Sequence, residues 1–138
     1  MLTLEELASG KTFAEECGMT AEIGRAAASL AAKELAAGRL DGAREMAEGL
    51  ALANPHDPAP WAMLALVERR RGRALAARLC SETAYRLAPE DPQVRLVRAE
   101  VLLCFTEGRA QARAELAQLA TVEGVSARAR ALLVALGE

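Results

Sequence analysis

Aromatic side chains are scarce in this chain: one Trp, one Tyr and two Phe among 138 residues, or 3%. The hydrophobic share of 52% is therefore mostly Ala, Leu and Val. Ala and Leu are among the strongest helix formers, so the composition predicts an all-α protein with closely approaching helices. Histidine is limited to His56, while Cys17, Cys80 and Cys104 are odd in number and form no CxxC pair. That usage speaks against a zinc site or a disulfide framework and for reduced, buried structural cysteines. Positive charge is not in surplus: the net is −2, without the basic field that draws proteins to phosphate backbones or anionic lipid. No stretch approaches the ~20 apolar residues of a membrane span. The acidic start "MLTLEELASGK" lacks the basic n-region of a signal peptide. These absences predict one cytoplasmic domain over 1–138, with no nucleic-acid partner and no integral membrane insertion, and the length suffices for a core without cross-links.

What is present is a period. "NPHDPAPW", residues 54–61, places Pro55, Asp57 and Pro58 where "APEDPQVR", residues 88–95, places Pro89, Asp91 and Pro92, 34 residues later. A Gly-Arg pair recurs at Gly38-Arg39, Gly72-Arg73 and Gly108-Arg109, at spacings of 34 and 36. Asp57 and Asp91 suit N-caps, with Pro58 and Pro92 at the first helical position. The glycines suit left-handed helix ends, and Pro55 and Pro89 bar helical geometry at the residue before them. The pattern predicts helical hairpins over 24–57, 58–91 and 92–123, an N-terminal segment over 1–23, and a last helix capped by Ser126 over 126–136. A thirty-four-residue helical hairpin is the tetratricopeptide repeat, so the expected architecture is three such hairpins in a right-handed superhelix, with a short N-terminal helical segment and a C-terminal capping helix. Trp61, Leu64, Ala65, Gly72, Ala77, Ala84 and Pro89 occupy the consensus positions of the second unit. The third departs from them, with Arg95 and Arg98 at two normally apolar positions and two extra residues before Gly108.

No nucleophile and base, separated carboxylate pair or glycine-rich phosphate loop can be assembled from the sequence, so a non-enzyme without cofactor or metal is expected. His56 reads as a solvated turn residue. "ERRRGR", Glu68 to Arg73, reads first as cations complementing a helix C-terminus and second as a basic patch for an acidic partner. A repeat array offers a concave groove lined by its first helices. The groove positions not needed for internal packing give Ala28, Ala32, Leu35, Ala62, Met63, Leu66, Leu96, Val97 and Leu103 as the candidate lining; the same positions also hold Arg25, Ser29, Arg69, Arg70, Gln93 and Glu100, which predicts an apolar floor with one polar end. An apolar floor suits an apolar protein segment; the first segment, the last helix or a second copy are the other occupants.

Several stretches carry a resemblance. "SGKTFAEECGMT", with Gly10-Lys11-Thr12-Phe13, "AGRLDGA" at the first hairpin, "RAEVLLC" in the third unit and a closing helix after three repeats follow one another over about 130 residues. In that order the chain resembles the small tetratricopeptide chaperones of type III secretion that hold hydrophobic translocators, the class II or SycD/LcrH/IpgC type. The resemblance implies a cytoplasmic, non-enzymatic chaperone, often a homodimer through its N-terminal region, that keeps an apolar translocator segment soluble. The family's tyrosine-rich first helix corresponds here to Ala28, Leu30, Ala32 and Leu35, which removes aromatic anchors from the groove. A general interaction scaffold in a stable assembly is the alternative.

Overall fold

The structure is a computed structural model that describes residues 3–5 and 21–137. "SGKTFAEECGMT" and Cys17, and with them nearly all of the expected N-terminal segment, lie outside the described residues. Among the described residues from 21 onward, seven α-helices follow in order: α1 Ala21–Ala36, α2 Leu40–Ala53, α3 Pro58–Arg70, α4 Ala74–Leu87, α5 Pro92–Leu102, α6 Arg109–Leu119 and α7 Ser126–Ala135, with a 3-10 turn at Thr106–Gly108 before α6. The described residues contain no strand. Helices pair as the hairpins α1–α2, α3–α4 and α5–α6, each pair stacks on the next, and α7 packs against α6. The odd-numbered helices α1, α3 and α5 also touch in succession, so one face of the array belongs to them.

Local chemistry sets the seams. Asp57 Oδ1 accepts the Ala59 amide at 3.0 Å and Asp91 Oδ1 accepts the Gln93 amide at 2.9 Å, satisfying an orphan donor of each first turn. The Trp61 indole donates to the Pro55 carbonyl at 3.2 Å, tying the end of one hairpin to the start of the next. Gly38 and Gly72 take φ of 80° and 78°, and the amides of Arg39 and Arg73 reach back to the Glu34 and Glu68 carbonyls, both at 2.9 Å. The two turns are copies.

Two features differ from the sequence expectation. Gly108 is not a left-handed helix end: α5 stops at Leu102, and the two extra residues are absorbed by a turn and the 3-10 segment, leaving Gly108 at φ −89°. Glycine is needed there because a Cβ would lie 2.5 Å from the Leu102 carbonyl oxygen. Ser126 does not cap α7; Val125 holds the cap position without a side-chain hydrogen bond, and its side chain is buried at 1% exposure. Apolar burial decided that helix start in place of hydroxyl capping.

Alanines occupy many of the tightest sites: Ala31, Ala43, Ala47, Ala65, Ala77, Ala99, Ala112 and Ala129 have no exposed surface. The degenerate third unit replaces apolar contacts by ions. Arg95 on α5 pairs with Glu115 and donates to Gln118 at 2.8 Å, both on α6. Arg98 donates to Glu82 at 2.8 Å and lies over the Tyr85 ring at 4.1 Å, both on α4. Each arginine stem still covers apolar surface while its head finds a partner.

Candidate functional site

Two concavities lie on opposite sides of α3. The inner one is enclosed by Leu35 of α1, Leu66, Arg69 and Arg70 of α3, Glu100 of α5 and Arg128 of α7, around about 420 Å³. It lies on the face of the odd-numbered helices. The outer one, about 520 Å³, is formed by Ala51 and Leu52 of α2, Trp61, Leu64 and Glu68 of α3, and Ala76 and Cys80 of α4, with Pro55, Arg44, Glu48 and Arg73 at its rim.

The candidate lining residues divide between these surroundings. Leu35 and Leu66 wall the inner cavity. Ala32 is exposed, and Ala28, Ala62, Met63 and Leu103 are half-buried. Ala62 and Leu66 rest on the cluster of Ala65, Ala77, Val97 and Val101, whereas Met63 packs against the cluster of Ala47, Ala51 and Leu64. Leu96 and Val97 are core residues at 7% and 8% exposure, which corrects their expected place on an open floor. Leu96 is covered by Leu116, Leu119, Val125 and Ala129, because α7 takes the place where the first helix of another repeat would stand. Val97 is buried where α5 meets α3 and α4.

Electrostatics shape the inner cavity. The Glu100 carboxylate is 8% exposed; it accepts from Arg128 Nε at 2.6 Å and lies 3.7 Å from Arg69 Nη2. Arg70 Nη1 donates to the Leu35 carbonyl at 2.8 Å, at the C-terminal end of α1, where a cation is favoured by the helix dipole. Arg69 Nε is buried with no hydrogen-bond partner among the described residues.

The rest of "ERRRGR" turns to the other side. Glu68 is buried at 5% exposure, with Arg73 at 3.3 Å and Arg44 and Arg71 both at 3.5 Å. The motif is thus neither a free basic patch nor only a helix-end decoration; Arg69, Arg71 and Arg73 are ordered by two buried carboxylates and Arg70 by a backbone carbonyl. Sequence reasoning passed over Glu68, although a signal existed: Glu34 and Glu68 stand 34 residues apart, each five residues before the arginine of a Gly-Arg pair. Arg39 grips Glu34 with bonds of 2.7 and 2.9 Å, which holds the Glu34 carboxyl below its usual range.

The remaining chemically capable groups are quiet. His56 is exposed, its backbone amide donating to Asn54 Oδ1 at 3.2 Å. Cys80 and Cys104 are free thiols; burial, aided by the Glu68 and Glu48 charges, pushes the Cys80 thiol above its ordinary value. Among the described residues no cluster of His, Cys, Asp and Glu could hold a metal ion, and no helix is long and apolar enough to cross a membrane.

No protein-family model and no curated protein matches the chain. Solved structures do. The chain is similar to the type III secretion translocator chaperone SycD of Yersinia enterocolitica, at 19% identity and a TM-score of 0.73 over 90% of this chain and 97% of that one. It is similar to a T3SS complex from Aeromonas hydrophila at 19% identity and a TM-score of 0.77, over 96% and 93% of the two chains. A further likeness is to SycD in complex with a peptide of the translocator YopD, at 18% identity and a TM-score of 0.66, over 86% and 95%. At these identities the likeness establishes the fold, the all-helical repeat array of the SycD structures.

Proposed function

We propose that this chain is a chaperone of type III secretion, of the class that serves hydrophobic translocators, and that it holds an apolar client segment on the face of α1, α3 and α5. The observation that carries this reading is the likeness of fold along nearly the whole length of SycD, which in one structure is in complex with a translocator peptide. Leu35 and Leu66 supply the walls, Ala28, Ala32, Ala62, Met63 and Leu103 supply shallow contact surface, and Leu96 and Val97 support them from beneath. Each aliphatic anchor buried there would contribute ~1.5–3 kcal/mol before ordering costs. The protein acts by binding rather than by catalysis, in the cytoplasm, and pairs with a second copy as SycD does in its dimer structure.

The experiment is to isolate the native protein from its own cytoplasm, identify the stoichiometric partner, and measure that partner's affinity for variants. Leu66→Glu should abolish client binding. Because Leu66 also rests on the core, Ala32→Glu, at an exposed site, is the companion that leaves folding intact and still weakens the complex. Wild-type affinity in both variants refutes the groove assignment. The scaffold reading has one observation in its favour: Leu52, Leu75 and Leu79 on α2 and α4 are 78%, 72% and 72% exposed, an apolar surface apart from the inner face. A set of soluble subunits bound through those leucines, with the inner face open, would establish it instead.

A further inference from the structure

The inner cavity has leucine walls, Leu35 and Leu66, but four of its six lining residues are charged. Its lining holds three guanidinium groups, Arg69, Arg70 and Arg128, against the one carboxylate of Glu100. Glu100 is shared by Arg69 and Arg128, and Arg70 is anchored to a neutral carbonyl, so among the described residues two positive charges remain without a counter-charge in the lining. The charged groups face one another from three elements, α3, α5 and α7, and Glu100, its side chain 8% exposed, is shared by two of them. In open solvent such guanidiniums stay hydrated. A client segment that covers Leu35 and Leu66 strips that water, and the loss is costly unless the client returns a hydrogen-bond acceptor of opposite charge. A planar carboxylate matches the guanidinium fork better than any other side chain. A lysine or arginine at the same place would meet like charge.

Resting on the proposed groove reading, we infer that the client segment carries an Asp or Glu beside its aliphatic anchor, and that Arg128, with Arg69, receives it. Arg128 is the gatekeeping residue, since it lies at the end of the groove with its side chain 53% exposed while its Nε stays on Glu100.

The test pans a random peptide library against the full chain and against Arg128→Gln. Peptides selected by the full chain should combine aliphatic residues with an acidic one at a constant spacing. Selection by Arg128→Gln should keep the aliphatic residues and lose the acidic preference. Replacing the acidic residue of a selected peptide by its amide should weaken binding about threefold to tenfold. That difference should shrink in high salt and vanish in Arg128→Gln. Aliphatic peptides that depend on Ala32 and Leu66 but show no acidic preference overturn the inference and leave the groove reading standing. An acidic preference undiminished in Arg128→Gln also overturns it. If no selected peptide is sensitive to Ala32→Glu or Leu66→Glu, the groove reading fails and the inference with it. Peptide binding by monomer alone, with dimer excluding it, assigns the cavity to a second copy and likewise overturns the inference.

Discussion

Neutralising Glu68 and neutralising its arginines should have unequal costs, because the two sides of this cluster differ in access to water. The Glu68 side chain is 6% exposed, whereas Arg44, Arg71 and Arg73 are 36%, 26% and 53% exposed. When Glu68→Gln removes the negative charge, Arg44 keeps Glu48 at 2.9 Å, Arg73 is rehydrated, and Arg71, whose Nη1 is buried, turns outward to water. What is lost is three partly solvated ion pairs at 3.3–3.5 Å. At ~0.2–1 kcal/mol each, the total is about 1–3 kcal/mol. Replacing all three arginines by glutamine strands a buried carboxylate, which costs about 3–5 kcal/mol. The triple variant should therefore unfold at lower urea than Glu68→Gln, with helical circular dichroism as the readout. Adding Glu68→Gln to the triple variant should restore stability. A mutant cycle isolates the coupling: Arg73→Gln should cost about 1 kcal/mol alone and about zero in the Glu68→Gln background. Equal costs in both backgrounds, or a triple variant no worse than Glu68→Gln, would refute the view that a buried carboxylate organises the arginines.

Glycine substitutions should go in opposite directions. Gly108→Ala drives a Cβ against a backbone carbonyl at 2.5 Å and should cost about 1–3 kcal/mol in urea unfolding or more, whereas Gly49→Ala, within α2 with nothing within 4 Å, should gain about 0.5–1 kcal/mol. In a Cys17→Ser background, alkylation at mildly alkaline pH should modify exposed Cys104 severalfold faster than half-buried Cys80, whose thiol is held in its protonated form by burial; urea should erase the difference.

The parts of this fold that were legible in the sequence are those whose cause is local. Asp57-Pro58 and Asp91-Pro92 start helices through bonds that span two residues, and Gly38 and Gly72 end them through their own backbone angles. Such signals do not depend on what the chain packs against. The ion pairs between helices do. Glu100 meets Arg128 across 28 positions of sequence and Arg95 meets Glu115 across 20, so neither pair shows in a reading of single positions. Leu96 misled for a related reason. Its repeat position is half-buried at Ala28 and Ala62, but Leu96 packs under α7, with Ala129 over it. The same helix that buries Leu96 delivers Arg128 to the inner cavity. Covering the last hairpin and charging the end of the groove are therefore one structural event. A change that displaced α7 would uncover Leu96 and take Arg128 from the cavity, leaving Arg69 and Arg70 of α3 as its positive groups.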